Sequence, residues 1–447
     1  MKKLLSILIL PLLIYSCAKS QYIFAVAGEG YTAAFSGDSI LATSGRLGYP
    51  YGITVDMNGN IYINDVQNYR IRKVLASTRF IYTIAGTGVN GHSGDSSLAI
   101  AANVRPGYGI RFDAMNNLYF AEGRYIRRID AATGIITTIA GTGLNSFNGD
   151  SILAINANIV PFYFTFGANG SIYFSDWNNN RVRKIDQNTG IITTVAGSLN
   201  GFSGDSGLAI NAKLSNPTGL AIDAQGNIFV SDRNNNRIRR IDHATHVITT
   251  IAGTGVGGYN GDTIPATTAQ LNNPYNLCFD VLGNLLIADW FNARIRRVDA
   301  NTGIITTIAG TGTVGYCCDN VLATSAQIPE IFDLSVDLLG NIYFTGGNWV
   351  LKITTPETSI PETQQKNGKV LVYPNPSSDN ITFRLSSFTQ NETIQIMDIF
   401  GRVVYKENIR ANDTQVDVSR WSSGIYFYEV RSGLQIPTSI RGKFIKQ

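Results

Sequence analysis

Apolar residues along this chain come in short, largely β-branched runs separated by polar turns rich in Gly, Asp and Asn. The stretch Pro217–Gly253 holds four such runs: Gly219–Ile222, Asn227–Ser231, Arg237–Ile241 and Val247–Ala252. Their length and composition predict four strands, a to d, in a sheet buried on both faces. The a–b turn, Asp223-Ala224-Gln225-Gly226-Asn227, puts Gly where a tight hairpin needs positive φ. The c–d turn usually reads Asp-x-x-Thr-Gly, as in Asp130–Gly134, Asp186–Gly190 and Asp299–Gly303.

The stretch is one unit of a repeat. Its closing Ala-Gly recurs with Gly28, Gly86, Gly141, Gly197, Gly253 and Gly310, a spacing of 55 to 58 residues. A Gly-Asp marker keeps step at Asp38, Asp95, Asp150, Asp205 and Asp262, with Cys318-Asp319 in the sixth place. Four strands per unit predict an all-β, six-bladed β-propeller. The sixth copy supplies strands a to c between Ile331 and Ile353, whereas Tyr22–Gly28 is an orphan strand d. The N-terminal strand is therefore expected to complete the last blade and remove two open edges.

The pattern P-x-G-(L/I)-x-x-D-x-x-G-N-(I/L)-x-(V/I/F)-x-D-x-x-N-x-R-I-R resembles the NHL repeat, over residues 21–355. That resemblance implies the propeller fold. It leaves function open, because such propellers include binding modules, RNA-binding domains and metal-dependent lyases. Residues 356–369 are polar, with two prolines in Pro356–Gly368, and read as a linker. Residues 370–447 form a second, small β-sandwich domain. Its Tyr373-Pro374-Asn375-Pro376 start, Asp398-x-x-Gly401-Arg402 turn, Gly424-Ile425-Tyr426 strand and basic-apolar end resemble the type A C-terminal sorting domain of type IX secretion cargo. The resemblance implies export through that machinery, followed by release or attachment at the cell surface.

Residues 1–20 fit the same route. Lys2-Lys3 precede an apolar run from Leu4 to Tyr15, too short to span a membrane. Cleavage after Ser20 gives a secreted protein; cleavage before Cys17 gives a lipoprotein.

Bulk composition narrows the chemistry. A formal charge of +4 over 447 residues makes no case for nucleic acid or an anionic membrane surface. Only Cys278, Cys317 and Cys318 follow the signal segment, which is no disulfide framework. Cys278 lies in an apolar strand and reads as a core residue. The adjacent Cys317 and Cys318 read as free thiols or a vicinal disulfide. His92 is expected on one face of the ring, and His243 and His246 on the other, so they cannot share a zinc ion. No Ser/His/Asp set emerges, and no catalytic residue is assigned. The Gly-Asp loops lack the alternating ligands of a calcium loop and read as N-caps; no cofactor is expected, with calcium the alternative.

The recurring pairs Asp65/Arg70, Asp176/Arg181, Asp232/Arg237 and Asp289/Arg294 read as ion pairs across the b–c turns. The second and sixth copies depart, with Glu122-Gly123-Arg124 and Gly346-Gly347-Asn348-Trp349 in shortened turns. Specificity is expected where the turns differ, which singles out Trp177, Arg233, Trp290, Phe291, Trp349 and Arg124. They fit a sugar- or peptide-binding surface, or a cover packed over the inter-blade loops. The reading is a monomeric, exported binding module with an extracellular ligand; the alternative is a propeller lyase or hydrolase acting on polysaccharide or peptide.

Overall fold

A computed structural model describes residues 21–354 except 31, 317 and 318, together with 370–373, 379–385, 393–398, 402–409, 411–422, 424–431 and 439–446. The signal segment with Cys17, the linker and the Cys317-Cys318 pair lie outside these residues. The chain divides into two compact units, Met1–Glu357 and Thr358–Gln447.

The first unit contains six antiparallel sheets among the described residues. The fourth is the template: Leu220–Ile222, Ile228–Asp232, Arg237–Ile241 and Ile248–Ala252, paired in that order. Each strand lies within a residue or so of its sequence expectation. Interior strands are apolar on both faces; Ile61–Asp65 is buried at every position. The sixth sheet draws on both ends of the repeat array. Ile331–Val336, Ile342–Gly346 and Trp349–Thr354 are strands a to c, and Tyr22–Ala27 pairs beside Trp349–Thr354 as strand d. The first strands of successive sheets contact one another in chain order, and that of the sixth also contacts that of the first.

The a–b turn works as expected. Gly226 has φ +85°, and the Asp223 carboxylate accepts from the backbone N–H of Gln225 and Asn227 and from the Asn227 amide. In the c–d turn of the fourth sheet His246 stands where the other copies carry Gly, and it keeps the same backbone, with φ +57° beside +67° at Gly190 and Gly303. The side chain is carried in the left-handed region, at a cost of about 1 kcal/mol.

The second unit has a three-stranded sheet (Val370–Tyr373, Asn380–Leu385, Asp413–Asp417) and a four-stranded one (Val403–Asn408, Thr393–Met397, Gly424–Arg431, Ser439–Lys446). One apolar cluster draws on both, including Phe383, Ile396, Val416 and Tyr428. Two sheets sharing a core make a sandwich.

Candidate functional site

The repeated Asp and Arg form a structural cassette with a different pairing from the expected one. Asp65, Asp176, Asp232 and Asp289 bond to the second Arg of strand c, namely Arg72, Arg183, Arg239 and Arg296, at 3.4, 3.2, 3.3 and 3.5 Å. All four arginines are fully buried. Each carboxylate also accepts from a loop N–H (Gly48, Val160, Ser215, Asn272) and a turn amide (Asn68, Asn179, Asn235, Asn292). The Arg opening strand c has another role. Arg70, Arg181, Arg237 and Arg294 lie 3.9 to 4.0 Å from the ring centroids of Phe35, Phe147, Phe202 and Tyr259, a cation–π stack.

The Gly-Asp loops also differ from expectation. Their 3₁₀ turns have no side-chain cap. The loop carboxylates of Asp38, Asp150, Asp205 and Asp262 instead accept from the buried Arg and from a strand d hydroxyl (Thr83, Thr194, Thr250, Thr307). Each buried guanidinium is thus clamped between two carboxylates.

The second sheet rebuilds this cassette with other residues. Its b–c turn shrinks to Gly123-Arg124, with Glu122 paired directly to Tyr125. The longer Glu122 side chain still reaches the Arg105 N–H at 2.8 Å and Arg127 at 3.2 Å. The truncated turn has no Asn, and His92 Nδ1 takes its place 3.1 Å from Glu122. His92 stands where other loops carry Phe or Tyr, and Tyr125 where strand c carries Arg. Their rings stack at 3.7 Å, a His–Tyr pair in the place of the Arg–aromatic stack. His243 and His246 lie together in the c–d turn, far along the chain from His92.

Around the axis, Tyr51, Phe162, Tyr275 and Phe332, each second in its strand a, and Tyr108, two residues before Ile110–Phe112, converge on a ring that sequence reasoning missed, with Thr218 at the matching place before Leu220–Ile222. In four copies this position directly follows a Pro (Pro50, Pro161, Pro217 and Pro274). Tyr51 and Tyr108 stack at 4.4 Å, Tyr108 and Phe162 at 3.9 Å. Burial pushes the Tyr51 and Tyr275 hydroxyls up to about 12, so they stay protonated donors. One residue further in, the buried Asp333 carboxylate meets Arg111 at 3.1 Å and accepts from the Asn276 amide, and Tyr163 Oη donates to the Phe332 carbonyl at 2.7 Å. Burial raises the Asp333 carboxyl against the opposing pull of Arg111. In the neighbouring strand the Cys278 thiol is pushed up to about 12 by desolvation, which leaves it unreactive.

The expected site residues divide into groups. Trp177 leans on Phe162 at 5.6 Å and Trp290 on Tyr275 at 5.1 Å, so both extend the aromatic ring. Arg233 lies 4.9 Å from the Tyr275 ring and 5.0 Å from Trp290, and Phe291 stacks on Trp290 at 4.1 Å. Trp349 is separate: it opens strand c of the sixth sheet and packs on Tyr316 at 5.0 Å, in the place of the Arg–aromatic stack. Arg124 sits in the truncated turn and donates to the Gly143 carbonyl.

The missing turn residues leave an open cleft of about 630 Å³. Tyr51, Tyr108, Phe162 and Trp177 form its aromatic wall; Arg105, Arg124, His92 and Glu122 are its polar side chains on the second sheet and its loops. Among the described residues, no group of three or more His, Cys, Asp or Glu is arranged to hold a metal ion.

Sheet topology and repeat together define a β-propeller followed by a small β-sandwich domain. Residues 214–241 match the NHL repeat, and residues 371–447 match the secretion system C-terminal sorting domain. That domain implies contact with the secretion machinery and export to the cell surface or beyond. Among curated relatives, the chain is 24% identical over 267 residues to Protein SUPPRESSOR OF QUENCHING 1, chloroplastic, of Arabidopsis thaliana. The match takes in 57% of this chain but only 25% of that protein. A solved protein of unknown function from Bacteroides thetaiotaomicron shares the fold at TM-score 0.58 and 17% identity, covering 75% of this chain and 76% of that one. An auxiliary nutrient binding protein from the same organism aligns with TM-score 0.53, 17% identity and the same coverage.

Proposed function

We propose that this protein is an exported binding module whose six sheets form a closed six-bladed ring, with its ligand site on the face built by the b–c turns and inter-blade loops. The observation that carries this reading is the open cleft beside the aromatic ring, at the truncated b–c turn of the second sheet. Half-buried aromatic side chains with one accessible edge are common anchors for sugars and peptides. The match to a sorting domain supports presentation of such a site outside the cell, where glycans and peptides are candidate ligands. The nutrient-binding description of one structural neighbour is in keeping with this reading. Release or surface attachment after export is part of the same proposal, as is removal of residues 1–20.

The test is a thermal-shift screen of the exported chain against glycans, peptides and divalent ions, in which a ligand of the native state raises the melting temperature. Trp177→Ala combined with Trp290→Ala is expected to remove the shift and lower the ligand-free melting temperature by only a few degrees. Wholesale unfolding of that variant would assign both rings to packing instead.

A further inference from the structure

The six copies are an internal control for what the fold needs. A feature present in every sheet is structural; a departure with no structural partner calls for another explanation. Arg105 is such a departure. The same loop position carries Gly48, Val160, Ser215, Asn272 and Pro329 in the other five sheets, none of them charged. The Arg105 backbone N–H does the shared work by donating to Glu122. Its side chain is exposed and has no hydrogen bond or ion pair among the described residues. Arg124 is a second departure. The residue before strand c is Tyr69, Asn180, Asn236, Ala293 and Asn348 elsewhere. Arg124 uses one nitrogen on the Gly143 carbonyl and meets no carboxylate.

Both cations line the same cleft, and nothing in it neutralises them. The one carboxylate there, Glu122, is 1% exposed and already bonded to Arg127, His92 and the Arg105 N–H. Two guanidinium groups with free donors form a receptor for carboxylates, which they engage in planar, two-point fashion. The half-buried Trp177 lines the same cleft and is suited to the C–H face of a pyranose ring, while Tyr108 and Phe162, stacked on one another, back it from beneath. Asn90 and Asn178, both exposed at the rim, offer amides to hydroxyl groups. A peptide would draw instead on a row of main-chain partners and alternating side-chain pockets, and the lining is dominated by rings, cations and amides.

We propose that the cleft binds an acidic oligosaccharide, a chain of carboxylate-bearing sugars, with Arg105 and Arg124 on the carboxylates and Trp177 against a ring. This rests on the binding-module reading above and adds the ligand class.

The experiment is calorimetric titration of the whole exported chain with penta-galacturonate, its fully methyl-esterified form, and a deca-glutamate peptide. The acid sugar is expected to bind at least tenfold more tightly than the ester and to weaken as salt is raised. Arg105→Gln with Arg124→Gln should cost at least tenfold in affinity for the acid, with an unchanged melting temperature because both side chains are exposed. Equal binding of acid and ester, undiminished binding by the double variant, or no binding of the acid overturns the proposal. Preference for deca-glutamate also overturns it and assigns the cleft to acidic peptides. If a neutral glycan binds and responds to Trp177→Ala but not to the arginine variants, the binding-module reading stands and the acidic-sugar inference falls.

Discussion

At the scale of single residues, the buried arginine is the joint of each sheet. Arg239 is fully buried and lies between Asp232 and Asp205. Removing one partner of a buried ion pair leaves an uncompensated charge, which costs about 3–5 kcal/mol. The sixth sheet does without the device: Gly346 replaces the acid and the buried Leu351 replaces the Arg. Arg239→Leu should therefore destabilise the protein by about 3–5 kcal/mol, and adding Asp232→Asn should recover part of that. Urea titration of the two variants checks it; a double variant no more stable than the single would remove the ion pair from the account. The sequence made the recurrence of Asp and Arg plain but not the partner. Arg70 and Arg72 project from the same face of one strand, so alternation admits either. The loop some 35 residues upstream settles it in space: Phe35 packs against both guanidiniums, at 3.9 Å from Arg70 and 4.8 Å from Arg72, and only Arg72 also reaches the Asp38 and Asp65 carboxylates.

At the scale of elements, strands and turns were legible because six copies solve one folding problem with one local chemistry. The Gly of the a–b turn and the orphan strand at Tyr22 were enough to place most sheet boundaries. The aromatic ring at the entry to the a strands was not legible. Within one copy the x of P-x-G reads as a free choice, and the aromatics meet only when strands from different sheets are brought to the axis. The cleft was half legible: a shortened turn signals a difference, but its size depends on Trp177 and Tyr51 from flanking sheets. The pairing of Tyr22–Ala27 with Trp349–Thr354 makes a prediction of its own. Deleting residues 21–28 exposes a full strand edge in the sixth sheet, the kind of edge that recruits other chains. The shortened protein is expected to elute as oligomers in size-exclusion chromatography; a stable monomer with the parent melting temperature would contradict the pairing.

At the scale of the whole molecule, the cassettes make stability depend on pH. At Asp65, Asp232 and Asp289 burial outweighs the donors around the carboxyl and pushes it up to about 6. The unfolded carboxyl titrates near 3.9. An acid that holds its proton more tightly when folded favours the native state below the unfolded value, and this contribution is lost as pH rises from about 4 to about 6. The exposed Asp130, Asp186, Asp242 and Asp299 act the other way. Backbone donors from their turn threonines hold them low, so their contribution fades as pH drops below about 4. The melting temperature should be higher at pH 5 than at pH 7 and fall again toward pH 3. Calorimetry across that range decides it; a profile flat or rising from pH 5 to 7 would mean that the buried pairs do not titrate as a set.

The shared sixth sheet also sets a tempo. Five sheets are built from contiguous chain, and their strands can meet as soon as each segment is free. In the sixth, Tyr22 must find Thr354, 332 residues away. Bringing such distant points together costs on the order of 5 kcal/mol in chain entropy, apart from a constant, and contacts of this kind form slowly. Folding should accordingly run as a fast accretion of separate sheets followed by one slow closure. Until that pairing forms, Tyr22–Ala27 and Trp349–Thr354 each present a bare strand edge, and the exposure of both ends with the same event.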